Sequence, residues 1–134
     1  MPPIECRLSK LVETETHDQV IVLEEKDGKR QFPIMIGPFE VSAIHRFVHK
    51  ERPPRPLTHE LFGNVLKTLN VAIEKVIVTD LRNGIFYALL VLQQDGKLLE
   101  IDSRPSDAIA LATQAGAPIF VEEEVLEKAA KDFE

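Results

Sequence analysis

Apolar runs of strand length alternate along the chain with amphipathic runs of helical spacing. Three turn-forming pairs, Asp27-Gly28, Asn83-Gly84 and Asp95-Gly96, each separate two apolar runs. Such pairs readily adopt the left-handed backbone of a tight hairpin, so each predicts two antiparallel strands. The run from residue 85 to 92 is apolar at every position, which predicts a central strand covered on both faces.

Helical periodicity predicts three to four helices that pack against this sheet. The first begins with Pro38 at its first helical position, and Thr58 is a favoured N-cap for the second. The third follows Pro105 and ends at Gly116, a residue typical of helix C-termini. A last, acidic helix covers residues 122–133. The sequence therefore predicts an α+β fold with a single mixed, mainly antiparallel sheet.

Two stretches of the chain repeat one order of features. Each contains a turn, a strand, a Pro-x-acid triplet and an apolar helix; the stretches start at Asp27 and Asp95, and their triplets end at Glu40 and Asp107. We interpret residues 1–134 as a single domain, and the repeated order suggests an internal pseudo-duplication. Chance reuse of good turn chemistry is the alternative explanation, and a superposition of the two stretches distinguishes them.

Length and composition narrow the class of protein. The chain has 134 residues and one cysteine, Cys6, so it forms no internal disulfide and no cysteine-based metal site. No apolar run approaches the ~20 residues that a membrane helix needs. The N-terminus lacks the basic and apolar regions of a secretory signal. We therefore expect a cytoplasmic protein that does not associate with membranes.

The net charge of −6 opposes binding to a polyanion such as RNA or DNA, which requires several cations on one face. The segment 45–56 departs from this acidic balance because it contains four cations and a single acid. Basic residues late in a helix also complement the helix dipole, which is the simpler explanation. The charged residues of the segment are Arg46, Lys50, Glu51, Arg52 and Arg55.

Polar residues crowd the start of the third helix, where five of the six positions from 102 to 107 are polar. Ser103 or Ser106 can cap the helix, and Asp107 can reach its free amides. Alternatively, Asp102 and Asp107 bind a divalent cation, Mg²⁺ or Mn²⁺, and Arg104 or the helix N-terminus holds a phosphate. Capping is the simpler of the two explanations.

Further candidates join this group if the fold brings them close. His59 is the most plausible general base of the four histidines, because it lies beside a helix N-terminus and off the apolar stripe. Glu40 starts the helix that matches the third one, and Asp80 ends a strand. The complete candidate set is Asp102, Asp107, His59 and Asp80 for catalysis, Arg104, Arg82, Arg55 and Ser106 for substrate binding, and Asp102, Asp107 and Glu40 for metal binding.

Four segments resemble the bifunctional nuclease domain family, in the order FPIMIGPFEVSAI, PPRPLTHELFGNVLKTL, VIVTDLRNGIFYALLVL and IDSRPSDAIALATQAGAPIFVEEEVLEKA. The resemblance extends from Phe32 to about Ala130. It implies a mixed α/β fold, activity on RNA and DNA, and assembly into dimers or larger oligomers. It carries over no assigned catalytic residue.

Two classes of function fit these observations. The first is a nuclease that hydrolyses phosphodiester bonds of RNA or DNA with the help of a metal ion. The second is a non-catalytic, homo-oligomeric module that binds a ligand or a partner, with apolar surface from residues 117–121 or from the strand edge that carries Met35. A nuclease predicts that Asp102 and Asp107 share a cleft, whereas a module predicts that they fold back onto backbone amides.

Overall fold

A computed structural model of the chain describes residues 2–13 and 15–133. The elements in these ranges are β1 (Ile4–Glu13), β2 (Gln19–Glu25), β3 (Gln31–Ile36), α1 (Pro38–Val48), α2 (Thr58–Thr68), β4 (Ala72–Arg82), β5 (Ile85–Gln94), β6 (Lys97–Ser103), α3 (Pro105–Ala115), β7 (Ile119–Val121) and α4 (Glu123–Phe133). No helix in the described ranges has the length and hydrophobicity needed to cross a membrane.

All seven strands form one sheet, in the order β3-β2-β1-β7-β4-β5-β6. Every neighbouring pair is antiparallel except β4 and β7, which are parallel. The predicted α+β fold with a mixed, mainly antiparallel sheet is therefore confirmed. The strand order is symmetric about β7, because three consecutive strands lie on each side of it: β1 to β3 on one side and β4 to β6 on the other. This order is compatible with an internal duplication, which stays a prediction.

Two of the predicted hairpin turns have the expected backbone. Asn83 and Gly84 have φ angles of 52° and 77°, and Asp95 and Gly96 have φ angles of 50° and 79°. Both pairs therefore adopt the left-handed conformation that two-residue hairpin loops require. The Asp27-Gly28 pair also joins two antiparallel strands, but within a longer connection between β2 and β3.

The helix boundaries follow the predicted signals at three of four positions. Pro38 and Pro105 occupy first-turn positions, and Gly116 ends α3 with a φ of 72°. Thr58, however, is the first helical residue and not the N-cap. The helix begins one residue earlier than predicted because the carbonyl of Leu57 accepts the amide of Leu61 at 2.8 Å, which closes the first turn.

The apolar run at 85–92 lies in β5, an interior strand that pairs with β4 and β6, and Leu90 and Val91 are buried on its two faces as predicted. The middle position of the sheet belongs to β7. The chain passes through α3 and inserts β7 between β1 and β4, a placement that periodicity along the sequence does not reveal. Both edges of β7 are paired, so residues 117–121 offer no strand edge for oligomerisation.

One hydrophobic core lies between the sheet and the helices. Ile44 of α1, Ile109 of α3 and Leu126 of α4 are fully buried against sheet residues. Phe32 of β3 stacks on Phe86 of β5, with ring centroids 5.5 Å apart. Because these strands lie far apart in the strand order, this contact shows that the sheet curls. The curl brings α1 and α3 together, and their first turns meet at one cleft.

Candidate active-site cleft

A cleft of about 1080 Å³ lies where α1, α2 and α3 begin, beside the edge strand β6. Each helix contributes residues of its first turn or N-cap, so three helix N-termini, which carry partial positive charge, border the same space. Phe39, Phe62 and Ile101 form apolar parts of its wall. Its polar lining consists of Glu40, Ser42, Arg46, Thr58, His59, Asp102, Ser103, Arg104 and Asp107.

A chain of hydrogen bonds connects the three helices across this cleft. Asp107 Oδ1 lies 3.1 Å from His59 Nε2. The other carboxylate oxygen, Oδ2, accepts from Arg104 Nε at 2.9 Å and lies 2.8 Å from Nη2. Arg104 Nη2 also lies 2.9 Å from Glu40 Oε1. The side chains of His59, Asp107, Arg104 and Glu40 therefore form one connected network.

The network is buried at its ends and open in the middle. The side chains of Glu40 and His59 are 7% and 12% exposed, whereas that of Arg104 is 69% exposed. The pKa of the Arg104 guanidinium is raised above its usual value, first by the hydrogen bond and charge of Asp107 and then by those of Glu40. Arg104 therefore carries a permanent positive charge at the cleft, and the carboxylates of Asp107 and Glu40 hold its guanidinium in place.

The capping explanation for the polar start of α3 is wrong. Arg104 is the N-cap residue, and no side chain of the described residues caps the helix. The Ser103 hydroxyl donates to the carbonyl of Arg104 at 2.8 Å, and Asp107 bonds to two other side chains. Proline at the first helical position removes one free amide, which lessens the need for a cap. Asp102, Ser103, Arg104 and Asp107 line the cleft instead of capping the helix.

The structure separates the remaining candidates from this group. Asp80 pairs with Arg82 at 2.9 Å and accepts the amide of Leu81 at 2.8 Å, at the end of β4. Neither of the two lines the cleft, and neither do the exposed Arg55 and the buried Ser106. The structure thus brings together Glu40, His59, Asp102, Arg104 and Asp107 of the predicted set.

Sequence reasoning missed an ion pair that supports the cleft. Arg46 of α1 donates to Glu60 of α2 through Nε at 2.8 Å and Nη2 at 3.0 Å. Both side chains are largely buried, and the hydrogen bond from Arg46 lowers the pKa of Glu60. Because Glu60 follows His59 directly, the pair fixes the start of α2 relative to α1. No local sequence signal identifies two partners on opposite sides of a proline-rich loop.

The carboxylates of the cleft do not form a preassembled metal centre. Within residues 2–13 and 15–133, no three His, Cys, Asp or Glu side chains are grouped so that they could hold a metal ion. Asp107 and Glu40 are engaged in the network, whereas the side chain of Asp102 makes no hydrogen bond or ion pair with another described residue. Glu40, Asp102 and Asp107 nevertheless give the lining three carboxylates against the two guanidinium groups of Arg46 and Arg104.

Comparison with known proteins identifies relatives. The family model of the bifunctional nuclease domain matches residues 21–134, which confirms the resemblance of the four segments. An uncharacterized protein from two strains of Mycobacterium tuberculosis is 39% identical over 118 residues, covering 88% of this chain and 70% of the relative. Bifunctional nuclease 1 of Oryza sativa subsp. indica is 23% identical over 118 residues, covering 86% of this chain and 36% of the plant protein. The plant protein therefore extends well beyond the similar region.

Proposed function

The chain belongs to the bifunctional nuclease domain family, and on that premise we propose that it hydrolyses phosphodiester bonds of RNA or DNA in the cleft where α1, α2 and α3 begin. The observation that carries the proposal is the pairing of His59 with Asp107 beside the exposed guanidinium of Arg104. The plant relative named as a bifunctional nuclease supports the same reaction class.

His59 acts as the general base in this proposal. A carboxylate only accepts hydrogen bonds, so His59 Nε2 carries the proton that Asp107 Oδ1 receives, and Nδ1 is left as the basic nitrogen. As a water oxygen bonds to phosphorus, its proton passes to Nδ1. The bond from phosphorus to the leaving sugar oxygen breaks, and that oxygen takes a proton from solvent water while the imidazolium later returns its proton to solvent. Asp107 orients the ring and stabilises the imidazolium that forms.

Arg104 holds the phosphate in this proposal. Its guanidinium keeps a fixed orientation because Asp107 and Glu40 both bond to it, and its exposed side can donate to a phosphate oxygen. The three helix N-termini at the cleft favour a negative charge at the same place. Glu40 and Asp107 thus position the arginine and do not contact the substrate.

A divalent cation fits the charge of the cleft. The lining carboxylates outnumber the guanidinium groups, so a substrate phosphate needs a further positive charge nearby. Mg²⁺ commonly binds one or two protein carboxylates together with substrate phosphates and waters, and Mn²⁺ also prefers such oxygen ligands. We propose Asp102 as the carboxylate that holds this ion, which would neutralise charge at phosphorus. Asp107 would have to break its bonds to His59 and Arg104 to serve as a second ligand.

Cleavage assays on fluorescent single-stranded RNA and duplex DNA test the proposal, each with Mg²⁺, Mn²⁺ or EDTA. We expect wild-type cleavage to fall by about 10²–10⁴-fold in His59→Ala, the range typical of a lost general base. Cleavage by Asp102→Asn should no longer be stimulated by Mg²⁺ or Mn²⁺. His49→Ala is the matched control, because His49 is an exposed histidine outside the cleft. Equal rates for wild type and His59→Ala would rule out this mechanism.

A homo-oligomeric binding module is the second candidate function, and one observation favours it. The helix α2 buries no residue, and its apolar stripe is 44–59% exposed at Leu61, Phe62, Val65 and Leu69. Such a stripe is unusual on a monomer and typical of a surface that meets another chain. Oligomerisation without any cleavage in the assay above would favour this function over hydrolysis.

A further inference from the structure

We propose that a second, basic groove beside the cleft binds the phosphate backbone of a single-stranded nucleic acid. The groove has a volume of about 660 Å³ and lies between the C-terminal turn of α1 and the side of α2 opposite the cleft. Lys50, Arg52 and Lys67 are its cations that make no ion pair with a described residue. The inference rests on the proposed function only in that the bound strand would continue into the cleft.

The groove and the cleft adjoin each other. Arg46 lines both of them, and its ion pair with Glu60 forms the partition. Along α2, His59 faces the cleft, whereas Asn64 and Lys67 face the groove. A strand that lies across the junction of α1 and α2 therefore passes from one space to the other. The groove has the size of a small-ligand pocket, which suits a short stretch of one strand.

The charge of the groove contrasts with that of the rest of the protein. The chain has a net charge of −6, yet the groove presents three unpaired cations, and Glu51 is its one acid without an ion pair among the described residues. This local excess supplies the counterion release that drives binding to a phosphate backbone. The basic segment noted in the sequence thus gains a location, except for Arg55, which lies outside the groove.

Two further features suit the groove to a nucleic acid. Lys50 has a φ of 56°, and the turn that carries it is closed by a hydrogen bond from Glu51 N to Arg46 O at 2.9 Å. This turn fixes the position from which the lysine extends. Gln114 lines the groove as well, and its Oε1 is buried without a hydrogen-bond partner among the described residues. A sugar hydroxyl or a base amino group can supply the missing donor once the Gln114 side chain turns this oxygen into the groove.

Helix ends provide a competing explanation for two of the cations. Lys50 and Lys67 lie at the C-terminal ends of α1 and α2, where positive charge complements the helix dipole. A role limited to the dipole affects the free energy of unfolding and leaves affinity for nucleic acid unchanged. Binding and stability measured on the same variants therefore distinguish the two explanations.

The test measures binding without cleavage. Fluorescence anisotropy of a labelled single-stranded oligonucleotide is recorded in EDTA, in a His59→Ala background, over a range of salt concentrations. We expect Lys50→Gln/Lys67→Gln to flatten the slope of log affinity against log salt by about 0.7 for each cation removed. Glutamine keeps most of the aliphatic stem, so the fold is preserved. Lys10→Gln/Lys29→Gln is the control, since it removes the same charge from exposed sites outside the groove.

Three results would contradict the proposed binding groove. The control pair could change the salt slope as much as the groove pair does, or the groove pair could lose stability without losing affinity. Polyglutamate could also displace the oligonucleotide as readily as an unlabelled strand does. Failure of the proposed hydrolysis is a separate result. If the wild-type protein binds the oligonucleotide with the expected salt slope but cleaves nothing, the binding groove is supported and the nuclease function is rejected.

Discussion

At the scale of single residues, Arg104 determines how the cleft is organised. Its guanidinium bonds to Asp107 on its own helix and to Glu40 on another, so two carboxylates of opposite halves of the chain converge on one cation. Asp107 in turn contacts His59 through its other oxygen. Each member is therefore held by the next one, which is the arrangement expected where a histidine must keep one orientation.

Asp107→Asn tests this dependence. The amide keeps the shape of the side chain but loses the negative charge that holds the imidazole and the guanidinium. We expect the variant to fold, because the side chain is 31% exposed, and to lose about 10²-fold or more in cleavage rate. Asp27→Asn, at an exposed turn outside the cleft, is the control. Unchanged cleavage by Asp107→Asn would remove Asp107 from the mechanism.

Cys6 gives a second prediction at this scale, on chemical reactivity. The residue is buried in β1, and burial together with the charge of Glu25 raises the pKa of its thiol to about 12. At pH 8 only about one thiol in 10⁴ is then ionised, and the thiolate is the reactive form. We expect iodoacetamide to label Cys6 slowly in the native protein and rapidly in urea. Equal labelling rates in both conditions would contradict the burial.

At the scale of elements, the sequence correctly predicted the turns and helix ends that depend only on neighbouring residues. The turns at 83–84 and 95–96, the prolines at the starts of α1 and α3 and the glycine after α3 all have the predicted roles, because each depends on its own backbone angles. The position of β7 was not predictable, since a three-residue strand pairs with distant partners. Its place in the sheet depends on the path of α3.

The two-residue turns allow a matched pair of substitutions. Gly84 and Gly96 have positive φ angles, and an added Cβ atom at either position would meet no atom of the described residues within 4 Å. Substitution by alanine therefore imposes only backbone strain, which we expect to cost about 1–2 kcal/mol of the free energy of unfolding in each case. Asp95→Asn should be nearly neutral, because asparagine tolerates the left-handed region. Urea unfolding measures all three, and a neutral Gly84→Ala would contradict the turn assignment.

The ion pair between α1 and α2 predicts a pH dependence of stability. Arg46 lowers the pKa of Glu60 from 4.5, so the unfolded chain binds more protons than the folded chain as the pH falls below that value. The stabilisation is complete above about pH 5 and is lost as the pH drops through the folded-state pKa. Glu60→Gln should cost about 1–3 kcal/mol at pH 7.

Chemical unfolding of wild type and Glu60→Gln between pH 3 and pH 7 measures this loss. The difference between the two proteins should stay constant down to about pH 5 and then shrink. Glu127→Gln removes an exposed acid that makes no ion pair among the described residues, so it should leave the pH profile unchanged. A difference that does not change with pH would mean that Arg46 does not stabilise the Glu60 carboxylate.

At the scale of the whole molecule, the cleft exists because the sheet curls. Glu40, His59 and Asp107 are far apart in the sequence, and they meet because α1 and α3 pack on the same curled sheet. The sequence named all three as candidates from their positions at helix starts. It could not exclude Asp80 and Arg82 from the site. In the sequence these two residues look like part of a polar site, whereas in the structure they pair with each other at the end of β4.

The sheet order is compatible with the suggested duplication only at the level of topology. β3 and β6 are the two edge strands, each is followed by a helix that starts with proline, and β7 lies between the halves. Superposition of residues 27–48 on residues 95–115 is the decisive comparison. Helices that diverge after the strands are overlaid would leave reuse of turn chemistry as the explanation.

The exposed apolar surface predicts self-association through one side of the molecule. Leu61 and Val65 on α2 are 56% and 47% exposed, and Ile101 on the edge strand β6 is 44% exposed. Phe62 and Ile101 both line the cleft, so the two apolar surfaces flank the same opening. A second copy related by a two-fold axis would pack α2 against α2 and remove the apolar stripe of this helix from water.

Sedimentation equilibrium at micromolar concentrations tests this prediction. We expect wild type to form a dimer or a larger symmetric oligomer, and Leu61→Glu/Val65→Glu to be monomeric, because each copy would place two charges in the apolar contact. Met35→Glu is the control, since Met35 is 66% exposed on β3, the opposite sheet edge. If only Met35→Glu dissociates the oligomer, the interface lies at β3 and not at α2. A monomeric wild type would show that neither surface forms an interface. Retained cleavage by the monomeric variant would show that each copy carries a complete site.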